Sequence, residues 1–299
     1  MKKVFLSICA VAAMIACNKN DVTPMQPANE SSVITFGVAE LLATKAVSES
    51  TGATVQATGF NVAGITSDDV TYFNELASFV SGTSYKTATQ YYYPTGKTLD
   101  FYACHPVNNE ITITNAAASV SYTHSKYEDL IVAMAQNVSS QAGDVALTFD
   151  HILSQLIFTA KGSDTNADYV LKSITVKAPN GGTYTFADGK WSRGTLADEA
   201  YWATDLAVST STATTVNESM TFLPGEIQVT ASWECYVDGQ LVASYTKSTP
   251  AVGQANAIVL DKGKKNTVNL TLPNASAVGI SFSVTVNPWG STSQDVTLE

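Results

Sequence analysis

Ile280-Ser281-Phe282-Ser283-Val284-Thr285-Val286 alternates without a fault, with apolar side chains on one face of an extended chain and hydroxyls on the other. A period of two is the mark of a strand with one buried face. Periodicity leaves two readings open: a last strand that closes its own sheet, or a strand whose apolar face is covered from elsewhere. Asn287-Pro288-Trp289-Gly290 breaks the run, and a polar-flanked tail, 291–299, follows it.

Upstream, the same vocabulary recurs. Short runs rich in Val, Thr, Tyr and Phe occupy 265–272, 241–247, 226–236, 219–223, 183–186 and 169–177. Val237-Asp238-Gly239-Gln240, Ala187-Asp188-Gly189-Lys190 and Pro179-Asn180-Gly181-Gly182 separate several of them. Asp-Gly and Asn-Gly steps favour hairpins because both positions tolerate positive φ. Before Gly162-Ser163-Asp164, further runs at 154–161, 145–149, 129–135, 110–114, 98–103, 90–93 and 55–65 read as strands. Regularly spaced short strands with turn signals predict an all-β sandwich or barrel. A last, isolated candidate, 33–38, precedes a polar loop at 48–52.

The N-terminus sets the compartment. Lys2 and Lys3 head an apolar run too short to span a bilayer, which ends in Met14-Ile15-Ala16-Cys17. This reads as an export signal, residues 1–16, closing on a lipobox-like site, with Cys17 acylated after cleavage. A plain secretory signal is the other reading. Residues 18–32, with two prolines and several asparagines, form a tether. No other stretch is long and apolar enough to cross a membrane, so lipid would be the anchor.

The formal net charge of −10 becomes more negative once Lys2 and Lys3 leave, which argues against nucleic-acid binding. Cys104 and Cys235 are the cysteines left in the exported body. They could pair, but two lone cysteines make no disulfide framework, and two buried thiols is the favoured reading.

Little in the chain points to catalysis. His105, His124 and His151 have no ligand spacing, and adjacent Cys104 and His105 would face opposite ways on a strand. No nucleophile elbow, zinc-binding helix or phosphate loop is present, so neither enzyme activity, a cofactor nor a metal is expected. Tyr91-Tyr92-Tyr93, Trp191, Trp202, Trp233 and Trp289 could stack on sugars, but core and edge packing explains them better.

Several segments, in order, resemble the fimbrillin family, lipoprotein precursors of type V pili. They are the lipobox ending at Cys17, Ile34-Thr35-Phe36 followed by Thr44-Lys45-Ala46, and Tyr92-Tyr93-Pro94 with Leu99-Asp100-Phe101-Tyr102-Ala103. Leu147-Thr148-Phe149-Asp150-His151-Ile152-Leu153-Ser154-Gln155-Leu156, then Met220-Thr221-Phe222-Leu223-Pro224-Gly225, continue the match. Residues 265–272 and the ending Val284-Thr285-Val286-Asn287-Pro288-Trp289 complete it.

The resemblance implies two transthyretin-like Greek-key β-sandwich domains in tandem, 46–161 and 162–299, after a tether and propeptide strand at 17–45. It implies lipid anchoring at the outer membrane through Cys17, then a place in a surface fimbrium. A maturation protease would cut between Lys45 and Ala46 and release the strand carrying Val33, Ile34, Phe36 and Val38. The groove left behind would take a donor strand from another fimbrial subunit. Ile280, Phe282, Val284 and Val286 are the candidate groove fillers, and the tail from Ser291 could share that role. Where many relatives offer arginine at the cut, this chain has lysine, and its sole arginine is Arg193. A tip or stand-alone lipid-anchored adhesin that touches host glycan or protein is one competing reading, and a glycan-binding surface lipoprotein that captures polysaccharide is another.

Overall fold

The computed structural model describes residues 32–38, 50–125, 127–140, 143–274 and 280–288. In chain order, the first elements are β1 (Phe36–Val38), α1 (Gly52–Thr58), β2 (Phe60–Thr66), β3 (Thr71–Ser81) and β4 (Ser84–Thr87). Then come β5 (Leu99–His105), β6 (Ile111–Thr114), β7 (Ala117–Thr123), β8 (Ile131–Val138), β9 (Val145–Leu147) and β10 (Asp150–His151). The later part holds β11 (Ser154–Gly162), β12 (Asp168–Pro179), β13 (Gly181–Thr185), β14 (Lys190–Arg193), β15 (Leu196–Trp202) and β16 (Leu206–Val208). It closes with β17 (Thr214–Phe222), β18 (Gly225–Val237), β19 (Gln240–Ser248), β20 (Ile258–Leu260), β21 (Lys264–Leu272) and β22 (Ser281–Pro288). Among the described residues the chain is all-β apart from one short helix, as its alternating runs predict.

An eight-stranded sheet, in the order β10-β8-β5-β2-β3-β4-β1-β9, forms the first body. Its end strands, β9 and β10, are separated in the chain only by Thr148 and Phe149, so the sheet curls back on itself. Inside lies an aromatic-rich core with Phe36, Phe60, Phe73, Phe101 and Phe149.

The second body is a sandwich. One layer is β17-β11-β21-β22 and the other is β15-β12-β18-β19, with β16 and β20 added to the latter. Strand β18 shows why the layers close. Ile227, Val229, Ala231, Trp233 and Cys235 are buried while the residues between them are not. That alternation turns one side of the strand into the core and leaves the other toward solvent. Strand β11 runs parallel to β21 and antiparallel to β17, so it belongs to this sandwich.

A further sheet, β14-β13-β7-β6, joins the two bodies. Its central pair runs from Gly181 opposite Thr123 to Thr185 opposite Ser119. Beneath it, Ile65, Cys104, Val120, Leu130, Tyr184 and Leu223 share one core cluster drawn from both ends of the chain.

Two local readings needed correction. Residues 55–65, expected as one strand, divide into the C-terminal part of α1 and β2. The Thr51 side chain accepts from the Thr54 amide while the Thr51 amide donates to Thr54 Oγ1 at 2.7 Å, a capping box that nucleates the helix. Gly59 ends it at φ 78°, where a Cβ would lie 2.2 Å from the Ala77 carbonyl oxygen. Residues 90–93 form no strand: Tyr92 makes only an isolated bridge to Val33.

Candidate functional site

The first strand is paired along both of its edges. Phe36 pairs antiparallel with Tyr85 of β4 on one side and parallel with Val145 of β9 on the other. The Ile34 amide donates to the Tyr91 carbonyl at 2.9 Å and the Val38 amide to the Thr83 carbonyl at 3.1 Å. The Val145 amide donates to the Thr35 carbonyl at 2.7 Å. Phe36 is fully buried and Ile34 nearly so, Val38 packs half-buried on the same core, and Val33 is exposed. Every second side chain thus enters the aromatic core, as strand geometry requires.

Asp144, which the sequence did not single out, fastens this strand. Its carboxylate accepts from Thr35 Oγ1 at 2.5 Å and from the Ser84 hydroxyl, tying β1 to β4 and to the start of β9. Tyr91, beside the entry to the strand, stacks on Phe73 with centroids 4.6 Å apart and donates to Glu75 Oε1 at 2.6 Å. Burial, reinforced by that bond, pushes its phenol up to about 12.

Lys45 and Ala46 lie outside the described residues, as does Cys17. The chain is described again at Ser50, which is firmly held. Its amide donates to Asp129 Oδ2 at 3.0 Å and its hydroxyl to the Asp129 carbonyl at 2.9 Å. The same Oδ2 meets His151 Nδ1 at 2.8 Å, and Asp129 is only 1% exposed. The two ends of the segment that contains Lys45 are therefore both fixed, one by Asp144 and one by Asp129.

At the other end of the chain, β22 sits on the edge of its own sheet. It pairs with β21 from Thr271 opposite Ser281 to Lys264 opposite Pro288. Ile280, Phe282 and Val284 pack half-buried on the second core, and Val286 is also half-buried. Together with Ile258 and Val259 they line an open groove of about 700 Å³. Among the described residues no strand pairs with the free edge of β22.

The remaining candidates are structural. Cys104 and Cys235 are free, buried thiols in different core clusters. His105 Nδ1 lies 2.9 Å from the Gly59 carbonyl and His124 Nε2 lies 2.8 Å from the Thr221 carbonyl. No group of three metal-ligating side chains comes together among the described residues. Trp233 is buried with its Nε1 donating to the Pro273 carbonyl, and Trp191 donates to the Ile152 carbonyl, so both are packing residues. Trp289 lies outside the described residues.

What the geometry defines is a strand-built protein whose notable features are an enclosed first strand and a half-covered last one. The fimbrillin-like family profile matches residues 43–289, and the chain belongs to that family. It is a non-enzymatic, pilus- or adhesin-type protein of the cell surface. Its fold is similar to that of a fimbrial protein from Bacteroides vulgatus, with TM-score 0.65 and 16% identity over 86% of this chain and 99% of that one. A proposed cell adhesion protein from Parabacteroides distasonis gives TM-score 0.54 and 10% identity over 88% of this chain and 98% of that one. Another from Bacteroides eggerthii gives TM-score 0.52 and 11% identity over 87% and 96%. No curated protein matches by sequence.

Proposed function

We propose that this protein is a structural subunit of a surface fimbria, exported as a lipoprotein acylated at Cys17 and polymerised by exchange of strands. A cut between Lys45 and Ala46 frees β1, and an apolar strand from a neighbouring subunit replaces it between β4 and β9. The observation that carries this reading is the seating of β1: a three-residue strand paired on both edges, with Phe36 wholly inside the core. Its departure would leave the carbonyls of Tyr91 and Thr83 and the amide of Val145 without partners, beside a cavity the size of a phenylalanine. Such an edge is a template for strand addition, with alternate side chains filling the vacated sites.

Strand β22 is the proposed donor, alone or with the tail from Ser291. Its face carries Ile280, Phe282, Val284 and Val286, the same two-residue spacing as Ile34, Phe36 and Val38. Half-buried at home, these side chains gain burial in an enclosed groove, at about 25 cal/mol for each Å² of apolar surface covered. A head-to-tail contact of this kind does not close and builds a filament. In this reading the chain has two β-sandwich bodies of transthyretin type, and they meet at the sheet shared by β7 and β13. The passage between them falls near β10 and β11, slightly ahead of the expected 161/162 boundary.

The test is lysine-specific proteolysis of the purified lipid-free precursor, followed by gels of unheated and heated samples. A product starting at Ala46 and a heat-sensitive ladder, both absent from Lys45→Ala protein, are expected. Monomer alone after complete cutting at Lys45 would remove strand exchange from this chain and leave an anchored adhesin.

A further inference from the structure

The first strand and the last share a pattern finer than their apolar alternation. Ile34-Thr35-Phe36-Gly37-Val38 and Ile280-Ser281-Phe282-Ser283-Val284 carry the same three apolar residues at the same spacing, and both place a hydroxyl side chain between the isoleucine and the phenylalanine. In the first strand that hydroxyl is bound. Thr35 Oγ1 donates to Asp144 Oδ1 at 2.5 Å, and the Ser84 hydroxyl donates to the other carboxylate oxygen. Position 37 lies over the same side chain: a Cβ at Gly37 would stand 3.2 Å from Asp144 Cβ and 3.5 Å from Oδ2. Asp144 therefore lies against two successive positions on the polar face of the strand, one that supplies a hydroxyl and one that has room only for a small side chain.

The apolar face is equally selective. The Phe36 ring lies among Phe60, Phe73 and Phe101, with centroids at 6.2, 6.4 and 5.4 Å. In β22, Phe282 is the sole aromatic residue. An incoming β22 shifted by two residues would put Ile280 or Val284 at that site and leave it underfilled. A shift by one would turn its hydroxyls into the core.

We propose, resting on the strand exchange put forward above, that Asp144 fixes the register in which β22 of a second copy of this chain enters. Ile280, Phe282 and Val284 take the places of Ile34, Phe36 and Val38, and Ser281 donates to Asp144 as Thr35 does. Ser283 takes the place of Gly37. Its Cβ requires Asp144 to give by a few tenths of an ångström, and it brings a second hydroxyl near Oδ2. At home both serines are exposed, and Ser283 accepts a long bond, 3.4 Å, from Asn269 Nδ2, so leaving gives up little. A carboxylate accepts from hydroxyls and repels an acidic side chain, so Asp144 selects strands with the polar face that this chain itself carries.

The test uses lipid-free protein beginning at Asn18, cut to completion at Lys45, with ladders followed on gels. Gly37 faces Ser84, so Ser84→Cys with Ser283→Cys should give oxidised ladders that survive heating and collapse on reduction. Ser84→Cys with Ser281→Cys or Thr285→Cys should give none, because two residues along a strand is beyond the reach of a disulfide. Without introduced cysteines, Asp144→Ala and Ser281→Ala should each shorten the half-life of the ladder at a fixed temperature by about tenfold or more. The double variant should lose about as much as the larger single change, and Thr285→Ala, further along the same face, should keep the wild-type half-life. Cross-linking through Ser281 or Thr285 in place of Ser283, or losses from Asp144→Ala and Ser281→Ala that simply add, would overturn the register while strand exchange stands. Wild-type chain that is fully cut and forms no ladder would overturn both.

Discussion

Phe36 meets Phe101 edge to face, with ring centroids 5.4 Å apart and an interplanar angle of 82°. The contact ties a strand near the N-terminus to β5, in the middle of the first sheet, and Phe60 and Phe73 add further edge contacts. This geometry suits the aromatic quadrupole and makes the side chain a large part of what holds β1 in place.

Phe36→Ala should therefore cost the uncut chain about 3–5 kcal/mol, the range for emptying a buried phenylalanine site. Urea unfolding of the precursor measures it. In protein beginning at Ala46 the same substitution is absent from the product, so its stability should equal that of cut wild type. A loss below about 1 kcal/mol in the precursor would mean that β1 is not integral to the core.

Asp144 links Thr35 and Ser84 across the strand edge. Asp144→Ala should weaken the seating of β1 by about 1–3 kcal/mol, the cost of unmaking hydrogen bonds to a charged group. Hydrogen exchange would report it at the amides of Val38 and Val145, which bond across this edge. Both should exchange at least about fivefold faster while amides in β18 keep their protection. Unchanged rates at both would show that the carboxylate has no part in holding the strand.

Burial pushes the His105 imidazole below its ordinary value of 6.5. Below pH 6.5 the unfolded chain therefore binds a proton that the folded chain resists. Stability should fall as pH drops from about 6.5 toward the lowered folded value, then level off for this group. The comparison is denaturant midpoints for wild type and His105→Gln between pH 7 and pH 5. A smaller acid loss in the variant is expected, and identical slopes would assign the pH dependence to other groups.

The Cys104 thiol is pushed up to about 12 and that of Cys235 is also raised, in both cases chiefly by burial. Thiolate is the reactive form, so both should resist iodoacetamide in the native lipid-free protein at pH 8. For lipid-free protein beginning at Asn18, and so without Cys17, intact mass after labelling should show no adduct in buffer and two in denaturant without reductant. Denatured protein that takes no label unless reduced would reveal a Cys104–Cys235 disulfide.

How much of this was legible in the sequence depended on distance along the chain. Strands such as β18 and β21 were readable because their alternation is strict and one face is buried. Strand β3 was not, because its buried residues, Phe73 and Ala77, stand four apart while Leu76 and Val80 face solvent. The 55–65 run misled because its apolar residues fit a strand, whereas the Thr51–Thr54 capping box and the close approach of Gly59 to Ala77 impose a helix and a turn.

By itself the sequence determined the all-β class and the two candidate strands at the ends of the folded chain, because strand periodicity is a local property of neighbouring residues. Only the tertiary structure decided where those strands sit. Thr35 meets Asp144 109 positions away, Ser50 meets Asp129 79 positions away, and β7 pairs with β13 across the middle of the chain. Such pairings depend on which sheet edges and which buried polar groups are brought together. An aspartate in a loop carries no sign of the hydroxyls it will bind until the sheet has closed around it.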